Sequence, residues 1–407
     1  MFRLPKGIIV LGLVSFFTDL SSEMIYPLLP VFLSTTLGAG ALALGVIEGV
    51  AESTASLFKV ISGIWTDRVN RRKPFITAGY GLSGLVRPLI SVAAAWPFVL
   101  LMRFIDRIGK GLRTSPRDAL VADITEPGQR GTAFGFHRAM DHAGAVIGPL
   151  VAAALLTFSS LGLRHVFLLS AIPAVIVMVL ILTRLEEPQQ RIELHSGTPM
   201  SRGRWKELGR SYHCLLFAVL VFTLGNSTDA FLLLRMTDAG VSPSWVAVLW
   251  SIHHVVKMLS SYVGGRMSDG MGSRVLIIAG WIVYALTYLA FAFLKTPAML
   301  ILVFLVYGIY FGLTEPSEKA WVSDAVPSDL RGTAFGYYHS VLGLGALPAS
   351  LLFGFLWHGF GAPTAFATGS CLAIGASIIL LLSPVAPRFA RQDHPAGQKV
   401  AALDEVH

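Results

Sequence analysis

RGTAFG stands at residues 130–135 and again at 331–336, and each copy follows an Asp seven residues earlier, Asp123 and Asp324. Six identical residues recurring after 331 − 130 = 201 positions are a repeat signal, and a repeat decides how the rest of the chain divides. A second pair lies at almost the same offset. GIWTDRVNRR at 63–72 and GRMSDGMGSR at 265–274 align so that Gly63, Asp67 and Arg72 match Gly265, Asp269 and Arg274 at an offset of 202. Two separate motifs sharing nearly one offset imply two homologous halves.

Of the 407 residues, 54% are apolar and only 14% charged, and the mean hydropathy is +0.65. A soluble domain carries roughly 25% charged residues, so this composition belongs to a membrane protein. Twelve apolar spans of about 20 residues or more are expected, at 7–33, 41–64, 74–94, 97–122, 131–157, 164–184, 211–236, 244–267, 274–294, 297–322, 331–357 and 362–384. The stretch from Gly7 is too long for a cleavable signal peptide and carries Asp19 and Glu23, so it reads as the first span. The isolated Cys214 and Cys371 make neither a disulfide framework nor a metal pattern.

The basic residues are not evenly spread. Loops 67–73, 185–210 and 266–274 and the tail after Pro387 are rich in Arg and Lys, whereas loops 34–41, 93–97, 237–245 and 358–363 have none. The positive-inside rule then places both termini and segment 185–210 in the cytoplasm of a bacterial-type inner membrane. The pI of about 9.6 follows from that loop bias and does not call for nucleic acid. The expected organisation is a six-helix bundle over 1–184, a cytoplasmic linker over 185–210, a second bundle over 211–385 and a cytoplasmic tail over 386–407.

Four segments carry a family resemblance. GIWTDRVNRRK (63–73) resembles the loop signature G-x-x-x-D-R-x-G-R-R/K of the major facilitator superfamily, with Asn70 where Gly is usual; Asn also tolerates the left-handed backbone. RFIDRIGKG (103–111) resembles the family's span-four pattern. GAVIGP (144–149) resembles its span-five Gly-Pro motif, typical of exchangers and exporters. SFFTDLSSEMIYPLLPVFL (15–33) resembles the acidic first span of drug–proton antiporters. The resemblance covers the whole chain. It implies an all-α integral membrane protein of twelve helices in two pseudo-symmetric six-helix bundles. Spans one, four, seven and ten would line a central cavity, spans two, five, eight and eleven would form the interface between halves, and the rest would face lipid. It also implies rocker-switch transport of a small solute, proton-coupled and favouring export, by a monomer.

Charge placement agrees with that division. An ionisable side chain at mid-membrane is costly unless it meets water or a partner, and residues 166–183, 275–294 and 364–383 of spans six, nine and twelve carry no charge. Asp19 and Glu23, spaced i,i+4, share a helix face and are the leading candidates for the coupling proton, with Glu48, Glu52 and Glu315 next. The candidate cavity residues are Tyr26, Arg103, Asp106, Arg113, His137, Arg138, Asp141, Asn226, Asp229, His254 and Glu318. The competing structural reading pairs Arg103 with Asp106 and His137 with Asp141, because buried charges need partners. Three other functions compete. Arg87, Arg103, Arg113 and Arg138 suit uptake or exchange of an organic anion. His254 and Met258, also i,i+4, suit copper transport. A receptor can keep the fold without transport. There is no G-x-x-x-x-G-K-[ST] loop, nucleophile triad or zinc motif, so neither an enzyme nor a cofactor is expected.

The resemblance also assigns a role to the repeated phrase. Each loop Asp would meet the helix start of the other half, Asp67 at Arg331–Thr333 and Asp269 at Arg130–Thr132, when the cytoplasmic side is closed. Helix starts offer free N–H groups and partial positive charge. The expected latch is therefore Gly63, Asp67, Arg72, Asp269 and Arg274 against Arg130, Gly131, Arg331 and Gly332.

Overall fold

The computed structural model describes residues 4–39, 41–159, 161–187 and 204–384. Most of the linker expected at 185–210 and the whole tail expected at 386–407 lie outside the described residues. Twelve helical segments run up and down through the chain. They are α1 (Lys6–Thr36), α2 (Ala41–Val69), α3 (Lys73–Val92), α4 (Trp96–Asp123), α5 (Arg130–Phe158), α6 (Leu163–Arg184), α7 (Arg210–Asp238), α8 (Pro243–Met271), α9 (Ser273–Phe293), α10 (Pro297–Ala325), α11 (Arg331–Phe360) and α12 (Ala362–Leu382). Among the described residues, nine of them are long and apolar enough to cross a membrane by composition. The other three, α2, α4 and α8, are as long but too polar. All three pack inside the molecule: α2 on α4 and α11, α8 on α5 and α10. Much of their charge, including Lys59, Arg103, Asp106, Asp118 and Lys257, is buried against protein, while Glu48 and Glu52 of α2 are exposed.

The spans lie where the apolar runs place them, with one systematic difference. α2, α8 and α10 continue to Val69, Met271 and Ala325, past the expected ends at 64, 267 and 322. Hydropathy marks where lipid stops, and helical hydrogen bonding does not stop there. Asp67 and Asp269 therefore sit on the last turns of rigid helices. The turn that follows needs a left-handed residue in both halves. Asn70 has φ +52°, and Gly272, 272 − 70 = 202 residues later, has φ +93°.

Packing repeats with the sequence. α1 lies on α5 as α7 lies on α11. α2 lies on α4 as α8 lies on α10, and α3 on α4 as α9 on α10. The halves meet where α5 crosses α8 and α2 crosses α11, with α5 also touching α10 and α4 touching α11. Glycines let these backbones approach. A Cβ on Gly135 would stand 3.0 Å from the Gly265 Cα, and one on Gly63 would stand 3.2 Å from the Gly336 Cα. Two helices are interrupted at matching depth. α1 breaks after Glu23 into a 3₁₀ turn containing Pro27 and a π turn over Phe32–Thr36, and α7 breaks at 226–229.

Candidate functional site

At one end of the bundles, the face carrying the basic loops, the repeated phrase meets the loop aspartates of the opposite half. Asp67 accepts hydrogen bonds from Gly332 N (3.0 Å) and Thr333 N (2.6 Å). Asp269 accepts them from Gly131 N (2.7 Å) and Thr132 N (2.8 Å), and from the Thr132 hydroxyl. Each carboxylate thus takes up two free N–H groups of the first turn of a helix in the other half. Arg72 Nη1 donates to Asp67 at 2.6 Å. Arg274, its sequence counterpart, is not part of this cluster: its guanidinium donates to Leu380 O (2.7 Å) and Ser383 O (3.0 Å) at the end of α12. In its place two further aspartates join. Arg331 Nη1 donates to Asp123 at 2.8 Å, and Arg130 donates to Asp324. The signal for both was present, since each Asp precedes its own copy of RGTAFG by seven residues. The pairing is crosswise, the Asp of one copy with the Arg of the other.

Above this contact a cavity of about 300 Å³ lies between the halves, lined from α1, α2, α4 and α5 on one side and α7, α10 and α11 on the other. Asp19 reaches it, and among the described residues its carboxylate makes no ion pair or hydrogen bond, its backbone carbonyl alone accepting from the Ser22 hydroxyl. Glu23, one turn on, packs against Gly148 of α5 and lies outside the cavity lining. Arg138 forms a two-pronged pair with Glu315 of the other half (Nη2–Oε1 2.8 Å) and also holds Asp141 at 2.8 Å, which in turn accepts from Ser15. Glu318 accepts from Tyr338 OH at 2.6 Å, and Asn226 donates to Tyr310 OH at 3.3 Å. Arg113 lines the cavity, donating to Ser83 at 2.7 Å and lying over the Tyr80 ring.

Other expected cavity residues stand elsewhere. Asp106 is bonded to Arg87 Nε (2.9 Å) and Tyr26 OH (2.5 Å), and its distance to Arg103 is 3.9 Å. Arg103 is bonded instead to Glu48 at 2.6 Å and lies over the Tyr26 ring at 4.0 Å. These residues form a cluster of their own, away from the cavity lining, and Glu52 also lies outside that lining. His137 is buried 3.8 Å from Asp141. Asp229, at the break in α7, accepts from Tyr307 OH (2.7 Å) and Lys257 (3.4 Å). The His254 ring meets His142 of the other half edge-on at 5.5 Å. Among the described residues, no three His, Cys, Asp or Glu side chains gather as metal ligands, so His254 and Met258 lack such support for copper.

A further buried cluster spans the two halves and was not among the expected site residues. Asp118, fully buried, is held by Arg117 Nη2 (2.9 Å) of its own helix and by Lys319 Nζ (3.0 Å) and His339 Nε2 (2.8 Å) of the other half. A usable signal existed: 319 − 118 = 201, so the two pairing residues occupy equivalent positions of the repeat.

Two repeated six-helix bundles, charge buried between them and a polar cavity on the repeat axis define a membrane transporter. Comparisons with known proteins agree. The family model described as Major Facilitator Superfamily matches residues 11–252 and 215–405. The chain is 31% identical to an uncharacterised MFS-type transporter of Methanocaldococcus jannaschii over 388 residues, covering 93% of this chain and 95% of that one. It is 24% identical to the multi-drug resistance efflux pump PmrA of Streptococcus pneumoniae over 374 residues, 88% and 91% of the two chains. In fold it is similar to the crystal structure of the human organic anion transporter MFSD10, at TM-score 0.76 and 17% identity, over 93% of this chain and 100% of that one. The chain belongs to the Major Facilitator Superfamily of membrane transporters.

Proposed function

We propose that the protein is a proton-coupled secondary transporter that carries a small solute through the inner membrane by alternating access, as a monomer with both termini in the cytoplasm. The observation that carries the reading is Asp19: a carboxylate that among the described residues forms no ion pair or hydrogen bond, on a cavity-lining helix interrupted next to it, in a cavity between two halves that are latched at the basic face. The basic loops put that latched face on the cytoplasmic side. The structure is then the state closed to the cytoplasm, and Asp67 and Asp269 hold it closed. Glu23 is the second proton carrier, one turn away. Export is favoured by the GAVIGP segment and by the efflux function named for the pneumococcal relative.

The sign of coupling depends on the charge of the solute. A cation competes with the proton for Asp19, which gives exchange and export. An anion binds best when Asp19 is protonated, which gives joint movement and uptake. One observation weighs against export and for this second reading: among the described residues three cations of the cavity, Lys59, Lys110 and Arg113, form no ion pair with a carboxylate. Proteoliposomes holding a pH-sensitive dye test the proposal. Adding small anions, cations and neutral solutes in turn should produce proton flux with one class, and Asp19→Asn should abolish that flux while leaving exchange between equal solute pools. Solute movement with no accompanying proton, or undiminished proton flux in Asp19→Asn, would overturn it.

A further inference from the structure

We propose that the cavity binds a small organic anion, its charged group held by Lys59, Lys110 and Arg113 and its apolar body laid against Phe222, Tyr310 and Phe311. The proposal rests on the alternating-access reading above and specifies its substrate class. Six cationic side chains line the cavity. Three are matched: Arg117 and Lys319 by Asp118, and Arg138 by Glu315 and Asp141. The other three are not. Lys59 and Arg113 are 9% and 5% exposed, and neither they nor Lys110 forms an ion pair among the described residues.

The carboxylates that face them, Glu52 toward Lys59 and Lys110 and Asp19 toward Lys110, stand beyond ion-pair distance, and three cations against two carboxylates leave an excess positive charge that is costly in so sheltered a place. A counter-charge from outside the chain removes that cost. Among the described residues, Asp19 is the one carboxylate of the lining that forms no ion pair or hydrogen bond, because Glu315 and Asp141 are held by Arg138 and Glu318 by Tyr338. The arginines expected to take an anion are mostly engaged: Arg87 with Asp106, Arg103 with Glu48, Arg138 with Glu315. Only Arg113 carries over, joined by two lysines.

Geometry favours a single small anionic group. Lys110 and Arg113 are i,i+3 on α4 and face the same way, and α2, which bears Lys59, packs on α4. Arg113 spends one Nη on Ser83 and keeps further N–H groups to donate. The facing wall is different in kind. Positions 201 residues after Lys110 and Arg113 are Phe311 and Thr314, so the second half offers aromatic and hydroxyl surface where the first offers charge. A volume of about 300 Å³ with Lys59, Lys110 and Arg113 on one side and Phe222, Tyr310 and Phe311 on the other, the lining carboxylates other than Asp19 being bonded to Arg138 or Tyr338, suits a compact aryl or alkyl carboxylate or phosphate.

The test uses the full-length protein in detergent, with benzoate and phenylphosphate as anionic probes and benzamide and benzylamine as neutral and cationic counterparts of similar shape. Calorimetric titration and thermal shift should show binding of the anions only. Lys59→Gln, Lys110→Gln and Arg113→Gln should each weaken it roughly tenfold or more, the scale of one charge-assisted hydrogen bond. Their melting temperatures should hold or rise, because each substitution relieves like-charge repulsion, and Lys59→Arg should retain binding. The inference is overturned if neither anion binds at millimolar concentration, if benzamide or benzylamine binds as tightly, or if Lys59→Gln combined with Arg113→Gln leaves anion affinity unchanged. Those failures are separate from failure of alternating access, which is read from distances across the latched face without any solute.

Discussion

A carboxylate is worth most where it faces several fixed donors, and Asp67 and Asp269 each face two N–H groups at a helix start. Asp67→Asn or Asp269→Asn keeps the shape but removes the charge, and should weaken the closed face by roughly 1–2 kcal/mol, the scale of a partly buried carboxylate at a helix N-terminus. Spin-label distances across the basic face should lengthen in both variants, and unchanged distances in both would refute the latch. Asp106 makes a different prediction. It is fully engaged by Arg87 and Tyr26, so Asp106→Asn strands a buried guanidinium. That should cost about 3–5 kcal/mol in the stability of the first bundle. Replacing Arg87 and Asp106 together by neutral residues should cost less than Asp106→Asn alone, as measured by melting in detergent. At this scale the sequence was only partly legible. It showed that Asp106 needs a cation but pointed to Arg103, three residues along the same helix. Arg103 does stand 3.9 Å from Asp106, but the closer partner, Arg87, comes from α3, and spacing along one helix carries no information about a neighbour 19 positions away.

Helices show why the fold was so readable and the site less so. Span positions follow from apolar length, because lipid imposes a minimum run of about 20 residues. The repeat then supplies the pairing of halves, and Asn70 with Gly272 marks the same turn twice. What hydropathy does not reveal is rotation about a helix axis. Tyr26 and Arg103 have the right spans and chemistry for the cavity, yet they face the α1–α4 cluster. The interface helices are the exception, because glycine reports close approach directly. Gly63 has the Gly332 carbonyl against the place where a Cβ would be, and Gly265 has the Gly131 carbonyl. Gly63→Val should therefore separate α2 from α11 at the basic face while leaving each bundle folded. The expected result is a longer distance between labels on those two helices with helical content unchanged by circular dichroism. An unchanged distance would mean that the backbones give way elsewhere.

At the scale of the molecule, near two-fold symmetry turns one set of interactions into two and creates a special position on the axis. The crosswise pairs Arg130–Asp324 and Arg331–Asp123 are copies of each other. Asp118 and Lys319 are not copies: they are the same position of the repeat carrying opposite charges, 3.0 Å apart, where the two halves meet each other. A residue facing its own equivalent would repel it if the halves were identical. Divergence at this position converts repulsion into a pair, and under the alternating access proposed above that pair is expected to join the halves only while the basic face is closed. His339 and Arg117 complete the charge around Asp118. Asp118→Asn should therefore leave Lys319 and Arg117 facing each other with no anion between them. The closed state should lose about 3–5 kcal/mol, the scale of breaking a buried pair from one side. Because the positions are equivalent, exchange is the sharper test. Asp118→Lys alone puts two lysines on the axis and should hold the basic face open. Asp118→Lys with Lys319→Asp should restore closure in part, short of fully, since Arg117 and His339 are not exchanged with them. Distance distributions across the basic face for wild type, the single variant and the exchanged pair decide it. If the exchanged pair is as open as Asp118→Lys, the position on the axis contributes to folding of each bundle and not to the contact between them.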